Sequence, residues 1–143
     1  MNTTKLELTL HNKFYPQSET RDFIARVCGQ LGFRGEDIYF IKAALDEVCT
    51  NIVRHSYRDR SGFIKIQIDD DGERFTLSVK DCGKPFLPRA ARRSSPGDII
   101  KAQKEGGLGL SLIERLMDEV QYFRRRKYNE LRMVKFHERN GRT

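Results

Sequence analysis

The hydrophobic periods along the chain predict an α/β two-layer sandwich, α+β in connectivity: a mostly antiparallel, mixed sheet with helices on one face. Three observations carry this. Segments of period two and segments stepping by three and four follow one another as strand, helix, helix, two strands, helix, two strands. Short polar turns separate the members of each strand pair, as hairpins require. The 143 residues amount to one domain, long enough to bury a core, so residues 1–143 are read as a single unit.

Taken in order, residues 5–11 alternate through Leu6, Leu8 and Leu10, the pattern of a half-buried strand. Pro16 and Ser18 open a helix, with Ser18 as its cap and residues 21–31 as its body. Phe23, Ile24, Val27 and Leu31 line one face, and Gly32 ends it. A longer amphipathic helix runs from Gly35 to about Tyr57 through Ile38, Ile41, Leu45, Val48 and Ile52. Two strands follow, at 63–68 and 75–79, around a polar turn at 69–72. From Asp81 to Gly109 the pattern breaks into Gly, Pro, Ser and basic residues. A loop of that length inside a compact domain is usually functional. Residues 111–119 read as a helix. Residues 120–126 and 131–136 read as a hairpin turning at Tyr128-Asn129, and the chain after His137 as a tail.

Composition narrows the function. Apolar residues make up 38% and charged residues 33%, which is the balance of a globular domain and not of a disordered one. The net charge of +7 favours anionic partners such as nucleotides. The basic residues do not interleave with aromatics, so no direct nucleic-acid partner is expected. The run Arg124, Arg125, Arg126, Lys127 reads as a solvated face. Cys28, Cys49 and Cys82 are odd in number and form no C-x-x-C pair, which argues against a disulfide framework or a zinc site. No signal peptide and no apolar run near the length of a membrane span is evident, so a cytoplasmic protein without a membrane partner is expected.

Three short segments carry chemistry. On the long helix, Glu47 and Asn51 stand four apart and project from one side, with His55 a further turn along. The carboxylate can orient or deprotonate a nucleophile, and the amide oxygen can ligate a hard cation such as magnesium. Alone, E-x-x-x-N is common on exposed helices. Asp81-Cys82-Gly83 follows the strand ending at Val79. An acid there can accept a hydrogen bond from an exocyclic base amine, and the glycine allows close approach of a ligand. Alone, Asp and Gly read as a turn. Gly106-Gly107-Leu108-Gly109-Leu110 runs into a helix, where glycines leave backbone N–H groups free to meet phosphate oxygens. Alone, it reads equally as a hinge.

In order, spacing and element type the three together resemble the GHKL superfamily of gyrase, heat-shock chaperone and histidine-kinase ATP domains. The stretches 44–57 (ALDEVCTNIVRHSY), 81–86 (DCGKPF) and 106–120 (GGLGLSLIERLMDEV) are most similar to the small bacterial anti-sigma serine kinases. The resemblance implies a Bergerat-type fold binding ATP with Mg2+. It implies Glu47 as general base, Asn51 as magnesium ligand, Asp81 as reader of the adenine amino group and Gly83 beneath the base. Gly107, Leu108, Gly109 and Leu110 would hold phosphates, with residues 84–105 as a lid supplying Arg89, Arg92, Arg93, Lys101 and Lys104. The implied activity is phosphorylation of an anti-sigma-factor antagonist and sequestration of a sigma factor, with room for a homodimer. A non-catalytic ATP-dependent binding module and a detached histidine-kinase catalytic domain are the alternatives.

Overall fold

In the computed structural model the described residues are 3–84 and 110–138. Strand β1 (Thr4–His11) leads through a 3-10 turn (Asn12–Phe14) to helix α1 (Gln17–Gln30) and helix α2 (Gly35–Asn51). The second helix continues as a π-wound segment, Ile52–Tyr57. Strands β2 (Phe63–Asp70) and β3 (Arg74–Asp81) follow, then helix α3 (Leu110–Leu116), β4 (Glu119–Arg124) and β5 (Asn129–Phe136). The five strands lie in the order β1-β2-β3-β5-β4. Every pairing among the described residues is antiparallel, so the expected mixed character is absent from them.

Alternation sorts the strands into two faces. Ile64, Ile66 and Ile68 of β2 stand beside Asp81, Val79 and Leu77 of β3, and Leu77 and Val79 beside Met133 and Leu131 of β5. All of these are buried. Onto them pack Ile24, Val27 and Cys28 of α1, Ile41, Leu45, Val48 and Cys49 of α2, and Ile113 of α3. Each large apolar side chain so buried contributes about 1.5–3 kcal/mol. Surface pairs such as Arg21–Asp46 at 2.7 Å add little, because water screens them. The core therefore holds the layers together, and the ion pairs trim their edges.

Helix ends show where local signals win. Gly32, at φ +94°, closes α1: its N–H bonds to Gly29 O at 3.1 Å, and the Phe33 N–H bonds to Cys28 O at 3.0 Å. Ser18 does not cap this helix, which starts at Gln17 with Pro16, two residues before Ser18, at the cap position. There the Thr20 hydroxyl returns a bond to Pro16 O at 2.7 Å. Lys135, buried on the helix-facing side of β5, donates to Leu116 O at 2.8 Å. A cation at a helix C-terminus meets the negative end of its dipole. His137, just past β5, pairs with Asp70 at 2.6 Å and stacks on Phe33.

The hairpin β4–β5 turns at 125–128, where the Arg125 N–H bonds to Tyr128 O at 2.8 Å, so its centre lies two residues before the expected Tyr128-Asn129 turn. Arg124 to Lys127 are exposed there, as a solvated basic run should be. No described helix is long and apolar enough to cross a membrane.

Candidate functional site: where the long helix meets the end of strand β3

The first two chemistry-bearing segments meet. Helix α2 carries Glu47, half-buried, and Asn51, only 4% exposed. They lie in its last two turns and share a side. Beyond Asn51 the winding changes to i→i+5. The residue facing the next segment is Ser56. Arg58 then reverses the chain at φ 54°, a conformation that costs a residue with a side chain about 1–3 kcal/mol.

Strand β3 runs two residues further than its apolar alternation, because Asp81 is paired on both sides, with Ile64 of β2 and Asn129 of β5. The alternation of Phe75, Leu77 and Val79 puts position 81 on the helix-facing side. Asp81 is thus not beyond the strand but its last, buried residue. Its Oδ1 accepts from the Gly83 N–H at 2.8 Å and from Asn129 Nδ2 at 3.2 Å. Asn129 Nδ2 also donates to Gly83 O at 2.9 Å. The Ser56 hydroxyl borders the same carboxyl and favours its charged form, although it makes no well-aligned hydrogen bond. Burial raises the Asp81 carboxyl above its ordinary value, and these donors offset only part of the rise.

Gly83 owes its identity to the helix. A Cβ there would stand 2.7 Å from the backbone carbonyl carbon and oxygen of Ser56 and from its Cβ. Close approach at Gly83 is thus required by the π-wound segment itself, before any ligand is considered. The Lys84 N–H bonds to Ser56 O at 2.8 Å, and the Cys82 N–H bonds to the Tyr57 hydroxyl at 2.9 Å. Behind the carboxyl, Tyr122 of β4 has its phenol pushed up to about 12 by burial, with Asp81 adding to the rise. Its hydroxyl is buried without a hydrogen-bond partner among the described residues.

No local sequence signal marks a role for Asn129, Tyr57 or Tyr122, although Tyr57 ends the 44–57 stretch. Only the pairing of β3 with β5 brings Asn129 to Asp81, across 48 positions of chain. Gly107, Leu108, Gly109 and the basic residues of the expected lid fall outside the described residues. Leu110 begins α3. Among the described residues, no group of three His, Cys, Asp or Glu side chains could hold a metal. A magnesium ion at Asn51 would then depend on oxygens of a bound nucleotide, the usual habit of that ion. A buried amide is a suitable hard donor for it.

A polar hollow on the open side of the sheet, bordered by Ser78, Lys80, Glu130 and Arg132, shares no residue with these segments. Glu130 is buried there between Arg132 at 3.0 Å and Arg125 at 3.5 Å.

Comparison with known proteins gives the family and the fold. Residues 17–135 match the family described as Histidine kinase-like ATPase domain. Proteins named Serine-protein kinase RsbW, from Bacillus cereus and Bacillus thuringiensis, are each 36% identical over 121 residues. The match covers 82% of this chain and 76% of each relative. A crystal structure of the RsbU and RsbW domains of Rv1364c from Mycobacterium tuberculosis is similar with a TM-score of 0.66. It is 20% identical and covers 93% of this chain, which spans 32% of that longer one, so it bears on the fold alone.

Proposed function

The chain belongs to the histidine kinase-like ATPase family, and from that premise we propose that it is an ATP-dependent protein serine kinase acting as an anti-sigma factor. It would phosphorylate a serine of an anti-sigma-factor antagonist and sequester a sigma factor, in the cytoplasm. Relatives at 36% identity bear the name Serine-protein kinase, which supports the enzymatic half of this reading. The observation that carries the site is the junction of the α2 end with the 81–84 loop around a buried, donor-held Asp81.

Each residue has a role on this reading. Asp81, as an acceptor, takes a hydrogen bond from the exocyclic amine of adenine. Gly83 keeps the loop seated on Ser56, beneath the base. Asn51 would hold Mg2+, which supplies neutralisation of phosphate charge when bound. Gly107, Leu108, Gly109 and Leu110 would offer backbone donors to phosphates. Glu47, half-buried one turn before Asn51, would take the proton of the serine hydroxyl as it attacks. Catalysis would rest mainly on positioning and charge neutralisation, as in other phosphoryl transfers.

The test is transfer of labelled phosphate from ATP to a purified candidate antagonist. Wild type is expected to label the antagonist on serine. Glu47→Ala should bind ATP as before and lose transfer by at least about a hundredfold, the lower range for a general base. Calorimetric titration of Asn51→Ala should show no tightening of ATP by magnesium. A wild type that binds ATP and a sigma factor yet never labels the antagonist would leave only the sequestering half of the proposal.

A further inference from the structure

Tyr57 closes the π-wound segment and is only 3% exposed. Its hydroxyl lies 2.6 Å from Phe63 O and 2.9 Å from Cys82 N. A carbonyl can only accept and an amide N–H can only donate, so the phenol must give its hydrogen to Phe63 and receive that of Cys82. Both directions are fixed. The ring is fixed as well: a Cβ on Gly62 would stand 2.1 Å from it, so Gly62 makes the room the ring occupies. Burial also raises the phenol's pKa, which keeps it a neutral donor.

Cys82 is the middle residue of the Asp81-Cys82-Gly83 segment. The strand ladder sets the side on which Asp81 projects, and holding the Cys82 N–H fixes the peptide plane that follows it, from which the Gly83 N–H reaches the carboxyl. The rest of the loop is held by the bonds already described from Gly83, Lys84 and Asn129. Beside the ladder pairing of Asp81 with Ile64, the Tyr57 bond adds a side-chain tie from Cys82 to the start of β2. Phenylalanine would keep the packing and break both bonds, whereas serine or threonine would not reach.

We propose that Tyr57 is the positioning residue for base recognition: its hydroxyl sets the 81–83 backbone so that Asp81 faces the adenine amine, and selectivity for ATP over GTP depends on it. This rests on the reading of Asp81 as the base-reading group. The effect belongs to binding and not to the chemical step, because Tyr57 acts through Asp81 and lies on the far side of the π-wound segment from Glu47 in sequence.

The experiment titrates the purified full chain with ATP and with GTP, in magnesium, for wild type, Tyr57→Phe and Gly62→Ala. Losing a hydrogen bond to a part-buried amide should weaken ATP about tenfold. GTP, which Asp81 does not select, should bind as it does to wild type, so the ATP/GTP ratio falls by the same factor. In phosphate transfer, KM for ATP rises and kcat stays. Gly62→Ala keeps the hydroxyl but displaces the ring, and should give the same loss of selectivity, which covers the case of a poorly folded Tyr57→Phe. Unchanged ATP affinity in both variants, or equal losses for ATP and GTP, would overturn the role and leave Tyr57 a packing residue. A wild type with no preference for ATP over GTP would instead overturn the reading of Asp81 itself, and this role with it.

Discussion

Gly83 sits against Ser56 so closely that a methyl group on it would lie 2.7 Å from the Ser56 carbonyl carbon. The end of one motif-bearing helix and the loop of another motif are therefore in backbone contact. Whatever displaces one displaces the other, and the predictions below follow from that junction and the residues around it.

Gly83→Ala should break the junction. The obstacle is backbone and not a side-chain tip, so it cannot swing aside. Overpacking of this kind costs about 1–3 kcal/mol. Urea denaturation should show a lower midpoint with an unchanged slope, and ATP binding should be lost at concentrations that saturate wild type. Full ATP affinity in this variant would mean that the 81–84 loop can lift from Ser56 without consequence.

Asp81→Asn should separate stability from binding, in a pH-dependent way. Burial raises the native carboxyl above its ordinary 3.8, so the folded state binds the proton more tightly than the unfolded chain does. Stability from this group is therefore full below the unfolded value and lost as pH rises through the folded one. An uncharged residue escapes that loss. The variant should melt a few degrees above wild type at neutral pH, and the gap should close below about pH 4. Its ATP affinity should collapse. A melting difference independent of pH would show that ionisation of Asp81 is not its source.

Asn129→Ala removes the donor shared by Asp81 Oδ1 and Gly83 O. Losing this donor, which leaves the buried carboxyl with only the Gly83 N–H and the part-buried Gly83 carbonyl without its amide, should cost about 1–3 kcal/mol. Because the amide favours the charged carboxyl, the Asp81 value should rise further without it. A carbon-13 NMR titration of the Asp81 carboxyl reads this directly, and an unshifted curve would place the donor's influence elsewhere. ATP should also bind more weakly.

The thiols should react unequally. Burial pushes Cys28 and Cys49 up to about 12, whereas Cys82 is exposed. Since the thiolate is the nucleophile, a thiol-exchange reagent at mildly alkaline pH should label Cys82 rapidly in the folded chain. The other two should react only on unfolding in denaturant. Saturating ATP should slow the labelling of Cys82, because it sits between Asp81 and Gly83. Rapid reaction of all three in the native state would contradict the packing of α1 and α2.

The sequence alone determined the elements and their faces. Periods of two and of three to four are local properties, because side chains alternate on a strand and recur every turn on a helix. Leu10, Ile41 and Leu77 could therefore be assigned to buried or half-buried faces from their spacing. The motif residues Glu47, Asn51, Asp81 and Gly83 were legible as chemical types at suggestive intervals. Tertiary structure alone decided how they are held. The π-winding after Asn51, which turns Ser56 toward Gly83, satisfies packing against a loop 27 positions away and leaves no periodic trace. The inclusion of Asp81 in β3 depended on two neighbouring strands, because a ladder continues wherever partners exist on both sides. The donor Asn129 reaches Asp81 only through the β3–β5 register. Hydrogen bonds across such distances obey no rule of spacing, and so the environment of the carboxyl emerged only when the chain was folded.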